Sequence, residues 1–150
     1  MSSRRALGGV AGFLCAAALV GGCGSGDSEP TPKSEYIEEA DATCARQTRK
    51  IHRLIVPYTE GKGYAHLSAP EAKKMVRKVL APALGYEVRS VRILVLPEKY
   101  VPRVLHFLDV WQQGVDKAEA DPVAFIHAKE PFAEDERLAR EFGFEICGSL

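Results

Sequence analysis

From Ser34 onward, apolar and polar positions recur with the three-and-four spacing of helices almost throughout. Ile37, Ala40, Cys44, Ile51, Leu54 and Tyr58 advance by that step or its multiples and form one stripe. Glu38, Glu39, Arg46, Arg49, Lys50 and Arg53 fall mostly off it. Ser34 reads as the N-cap of this first helix, with Gly61 and Gly63 as its stop. A second start stands at Ser68-Ala69-Pro70-Glu71, which has capping-box spacing with proline in the first turn. Its stripe is Ala72, Met75, Val76, Val79, Leu80 and Ala83, resuming at Val91, Leu94 and Val95. Pro82 and Gly85 interrupt it and predict a kink or a short break. The run from Val91 to Leu96 would suit a strand, but a lone strand has nothing to pair with, so helix is the reading up to Pro97. A third helix carries Val101, Val104, Leu105, Leu108, Trp111, Val115 and Ala118, with Pro102 near its start. Asp121-Pro122 opens a fourth as N-cap and first helical residue. Phe125, Ala128, Phe132, Leu138 and Phe142 are its apolar members, Pro131 predicts a distortion, and Gly143 closes it before a return over Phe144 to Cys147.

The other end of the chain follows a different rule. Arg4 and Arg5 precede an uncharged stretch from Ala6 to Val20, shorter than the roughly 20 apolar residues of a membrane span. Val20-Gly21-Gly22-Cys23 follows and resembles the lipobox of a bacterial lipoprotein signal: an aliphatic residue, two small residues and the cysteine that takes lipid. The resemblance implies that residues 1–22 are removed and that Cys23 becomes a lipidated N-terminus. The alternatives are an ordinary cleaved signal, with Cys23 incidental, or an uncleaved anchor. Residues 23–33, rich in Gly, Ser and Pro, read as a tether, and residues 34–150 as one helical domain.

Of the four cysteines, Cys15 leaves with the signal and Cys23 takes lipid, so Cys44 and Cys147 remain. In an oxidising compartment two such thiols pair. A redox or metal-binding pair is the alternative, but no C-x-x-C spacing supports it. Four helices joined by short turns run alternately up and down, which brings the end of the fourth beside the start of the first. Cys44 and Cys147 then meet; three helices, or five, would hold them apart. The expected fold is an all-α, antiparallel up-and-down four-helix bundle closed by that disulfide.

Composition is that of an ordinary globular chain, 46% hydrophobic and 27% charged, and 150 residues suit one domain. Balanced totals of 20 basic and 20 acidic residues exclude a chain that is basic overall. The distribution is uneven: residues 46–103 hold 13 basic and 4 acidic side chains, and residues 104–150 hold 4 and 10. Arg46, Arg49, Lys50 and Arg53 on the first helix, with Lys73, Lys74, Arg77 and Lys78 on the second, form two candidate anion-binding stripes. The competing reading lays these helices against the acidic fourth helix, where the field cancels.

Catalytic and metal motifs are missing. No G-x-S-x-G, S-x-x-K, H-E-x-x-H or P-loop pattern occurs. His127 and Glu130 form an i, i+3 pair suited to a bundle metal site, but the second pair and the extra carboxylates such a site needs are absent. His52 reads as solvent-facing, and Glu134-Asp135-Glu136 as a solvated acidic face. No cofactor, no metal and no enzymatic activity are expected. Export and the lack of a binding motif argue against nucleic acid as a partner.

With Cys23, the acidic run Tyr36 to Cys44 and the terminal Phe142-Gly143-Phe144-Glu145-Ile146-Cys147-Gly148-Ser149 in view, the chain resembles the small helical, disulfide-closed lipoproteins common in high-GC Gram-positive bacteria. That likeness implies address and shape, and no activity. The expected function is a membrane-anchored, non-enzymatic interaction or scaffold module on the extracytoplasmic face. Its expected partners are the membrane, through the lipid on Cys23, and an envelope protein or an anionic lipid or wall polymer. The alternative is a small-molecule or anionic-ligand binding protein with a pocket between helices near Pro82 and Gly85.

Overall fold

The structure, a computed structural model, describes residues 32–60 and 63–148. The expected signal, Cys23 and nearly all of the tether lie outside the described residues. Among those residues there is helix and no strand.

The elements are α1 (Lys33–Thr59), a 3-10 turn (Tyr64–His66), α2 (Ala69–Met75), a π turn (Val76–Leu80), α3 (Ala81–Arg92), a second 3-10 turn (Glu98–Tyr100), α4 (Val101–Ala120), α5 (Pro122–His127) and α6 (Ala133–Phe142). α3 packs between α1 and α4, α6 lies on α4, and α5 reaches α2. Tyr36, Cys44, Met75, Leu84, Val88, Phe107, Trp111 and Phe142 belong to one buried core.

Helix starts follow local chemistry. Glu71 accepts a hydrogen bond from the Ser68 backbone N–H at 2.9 Å, the reciprocal half of the expected capping box. Asp121 Oδ1 accepts from Ala124 N–H at 3.1 Å, with Pro122 opening α5. α1 starts one residue before the expected Ser34 cap, with Pro32 at the cap position, and ends with Glu60 in the left-handed region.

Four sequence expectations meet a different outcome in the structure. Of the kink or short break expected at Pro82, the break is absent: helix runs unbroken from Ala69 to Arg92. Pro82 has no N–H for the Lys78 carbonyl, and the π turn just before it absorbs that mismatch. The same helix stops at Arg92, so Leu94 and Val95 sit in a loop. The fourth helix is two helices: Ala128 is extended, the residue before Pro131 is biased away from helical geometry, and α6 begins afresh at Ala133. On α1 the buried stripe takes Ile55 where Leu54 was expected, and Leu54 is exposed.

The break after α5 gives Phe132 its place. Its ring lies over Gly114 in mid-α4, so close that a Cβ there would stand 2.7 Å from Phe132 Cε1. Gly114→Ala is therefore expected to destabilise by about 1–2 kcal/mol, overpacking outweighing alanine's better helix propensity. Thermal or urea unfolding checks it. Gly114→Ala in a Phe132→Ala background should lose that penalty.

At the C-terminus, Gly143 takes φ 110°, and its N–H and that of Phe144 donate to carbonyls of the last turn of α6. Tyr36, Phe107, Phe142 and Phe144 then meet as a ring cluster, with Phe142 and Phe144 centroids 4.9 Å apart.

Candidate functional site

All eight cations of the two expected stripes are exposed, but they do not share one surface. Lys50 from α1 and Lys78 from the π turn meet across a groove of about 360 Å³, joined there by Arg89 of α3. Leu54, Val79, Pro82 and Ala83 give the groove an apolar lining, and Tyr86 and Gln47 complete it. Among the described residues no carboxylate lines it. Lys50 Nζ stands 5.8 Å from the Tyr86 ring centroid, a cation–π distance. Lys74 opens onto a neighbouring groove with Tyr58, where Glu60 and Glu71 supply negative charge.

The remaining cations divide by helical geometry. Arg46 and Arg53 lie four and three residues from Lys50 and flank it on α1. Arg46 also donates to Thr43 Oγ1 at 2.9 Å. Arg77 turns to the far side of its helix, where its Nε–H donates to the Glu119 carbonyl at 3.3 Å. Lys73, four residues before Arg77, shares that far side, and Arg49 is exposed on α1. Arg89 escaped the sequence reading; it lies three residues past Tyr86 on the face that meets α1, and only the packing of α3 on α1 reveals it.

The competing idea, that an acidic last helix cancels this charge, has its own geometry to answer. Ion pairs among the described residues join Arg92 to Asp109, Arg137 to Glu134 and Glu141, and Arg140 to Glu136. Glu134, Glu136 and Glu141 of α6 are thus engaged by arginines of α6, and none of the eight cations takes part in an ion pair among the described residues.

The disulfide is present: Cys44 and Cys147 are bonded, their Cα atoms 5.3 Å apart, across 103 residues of sequence. Beside it stands a contact the sequence reading missed. Asp41, one turn before Cys44, accepts backbone N–H bonds from Glu145 (2.9 Å), Ile146 (3.0 Å) and Cys147 (2.9 Å). A carboxylate thus closes the C-terminal return against α1 from the same helical face as the disulfide. Asp41→Asn, which leaves one N–H facing an amide donor, is expected to cost about 2 kcal/mol in urea unfolding.

Two other carboxylates are buried, and the first corrects the sequence reading. Asp135 is buried in α6, not part of a solvated face, and its Oδ2 has no hydrogen-bond partner. Burial first, then the charges of Glu136 and Glu134, pushes its carboxyl up to about 7, against an opposing hydrogen bond from its own backbone. Glu87, buried on α3, is pushed up by burial to about 8. The His127–Glu130 pair is not on one helix, because α5 ends at His127. Among the described residues no group of three or more His, Cys, Asp or Glu side chains is placed to hold a metal ion, and no helix is long and apolar enough to cross a membrane.

A second concavity of about 300 Å³ lies beside α5, between Tyr64, Leu80, Phe125, Ile126 and Phe132, with Lys129, Glu130 and Glu136 also lining it. Its charges are mixed, whereas the Lys50/Lys78/Arg89 groove carries one sign only. The chain matches no protein-family model, and no curated protein or solved structure is significantly similar to it.

Proposed function

We propose that this chain is an exported lipoprotein, anchored through Cys23 to the extracytoplasmic face of the cell membrane. Its helical domain acts as a non-enzymatic interaction module that holds an anionic envelope partner, protein or wall polymer, in the groove of Lys50, Lys78 and Arg89. The observation that carries the binding role is this groove: three cations around an apolar lining, with no carboxylate and no ion pair to the acidic helix among the described residues. Such a surface attracts anions and keeps part of its charge field unneutralised. The anchor is supported by Val20-Gly21-Gly22-Cys23 and by the pairing of the other two cysteines of the domain, which suits an oxidising compartment. The up-and-down order of four members, with α5 and α6 as one bent member, belongs to the same proposal. It is supported by Tyr100 at the start of α4 meeting Phe142 at the end of α6.

The experiment compares the wild-type full chain with Lys50→Glu/Lys78→Glu/Arg89→Glu in intact cells, using a zero-length amine–carboxylate crosslinker. Crosslinked species present with wild type should fall at least fivefold with the triple variant, whose surface substitutions leave the unfolding midpoint within experimental error. An unchanged crosslinking pattern overturns the binding role. Intact-mass measurement of the membrane-extracted protein tests the anchor: the diacylglycerol mass on Cys23 should disappear in Cys23→Ser.

The apolar lining beneath the cations favours a second reading, a small amphipathic anion in the same groove. Native mass spectrometry of the purified protein separates the two, because only this second reading expects a bound mass that the triple variant loses.

A further inference from the structure

The loop between α3 and α4 exposes apolar side chains that folding should have hidden. Ile93 is 82% exposed and Val95 71%, the two most exposed of the large hydrophobic residues. Their neighbours do the opposite: Leu94 and Leu96 turn inward and pack against the core. The alternation makes the loop an anchored platform, held by two leucines, with two β-branched side chains pointing out.

The position of this loop gives it an occupant. Tyr100, three residues after Pro97, has the Lys33 ammonium 5.7 Å from its ring centroid, and Lys33 is the first residue of α1. The exposed loop and the point where the chain enters the domain therefore share one end of the molecule. Between Cys23 and Pro32 lie the eight residues Gly24–Thr31, a length of chain that spans at most about 30 Å. Around the loop stand Lys99 and Arg103, with Arg92 paired to Asp109, against the single acid Glu98 within residues 92–103.

We propose that the Ile93–Val95 loop tip inserts into the interface of the bilayer that holds the Cys23 lipid, as a second, non-covalent foot that orients the domain. Apolar side chains rimmed by basic ones suit the boundary between headgroups and acyl chains. The inference deepens the anchored reading above and rests on it for the identity of the surface. The basic groove lies close to the tip, since Arg89 stands four residues, about 6 Å of helix rise, before Ile93 on α3.

The test places a tryptophan at the tip. Full-length Ile93→Trp is reconstituted in vesicles of phosphatidylcholine with phosphatidylglycerol, with and without brominated acyl chains; Leu54→Trp, in the basic groove, is the comparison. Trp111 is buried in the core and contributes a constant signal. Bromine quenching should be at least threefold greater for Ile93→Trp than for Leu54→Trp. Ile93→Trp left unquenched overturns the proposal and leaves the tip as a surface for another protein. Equal quenching at both positions also overturns it, since the domain would then lie flat on the bilayer. Intact mass read on the same preparation keeps the two readings apart. Quenching without a lipid mass upholds the foot and removes the anchor; a lipid mass without quenching does the reverse.

Discussion

Replacing Cys44 and Cys147 together by alanine is expected to lower unfolding free energy by about 4 kcal/mol, the largest single effect in this chain. The bond closes 103 residues of sequence, and the chain-entropy account gives about 4.7 kcal/mol for a loop near that length. Both sulfurs are also buried, so truncation removes core contacts as well. The Asp41 carboxylate still holds the return after the sulfurs are gone, which limits the native-state damage. The measurement is urea unfolding of wild type, with and without reductant, against the double variant. Reduced wild type should fall close to the variant, and the slope should rise because the unfolded chain expands. A wild-type midpoint that reductant leaves unmoved would remove the disulfide from the account of stability. Combining Cys44→Ala/Cys147→Ala with Asp41→Asn should give a non-additive loss, since both devices tie the same segment to the same turn.

The second large effect is a fall in stability as pH rises from about 4 to about 8. In the unfolded chain Glu87 titrates near 4.3, and in the fold burial moves it up to about 8. Between those values the folded state keeps a proton that the unfolded state has released. Stability therefore declines with rising pH through this window, by a few kcal/mol in total. Asp135 adds a decline of the same sign that ends near pH 7. Glu87→Gln should flatten most of the slope, match wild type near pH 4 and exceed it at pH 8. Denaturant midpoints across this pH range, with the disulfide intact, decide the matter. A variant that keeps the wild-type slope would show that Glu87 does not titrate in this window. Asp135→Asn isolates the smaller component.

Legibility in the sequence followed the reach of each interaction. The helical stripes were readable because period and caps are local: Ser68 with Glu71, Asp121 with Pro122, and Gly143 all stand where the pattern put them. The disulfide was readable because the expected topology and the expected compartment both pointed to the same two cysteines. The π turn was not, since Pro82 announces a disturbance without saying whether the helix breaks or rewinds to absorb it. Asp41 was hidden for another reason. Its partners are backbone groups more than 100 residues away, and those carry no side-chain signature. Glu87, by contrast, sits at helical spacing among Leu84, Val88 and Val91, so its burial was written in the stripe and passed over. Of the candidate site, the residue types were legible, but their sorting was not. Which of the eight cations share a groove depends on how α3 lies against α1, and that arrangement also recruits Arg89.

The sulfur bond has a mechanical consequence as well. It makes residues 44–147 a covalent ring, with Lys50, Lys78 and Arg89 on the ring and the proposed membrane tether outside it. Tension between the bilayer and a partner gripping the groove would travel along α1 as far as Cys44 and there divide between two arms. Each arm would carry part of the load, and neither could be drawn out to full length while the other held.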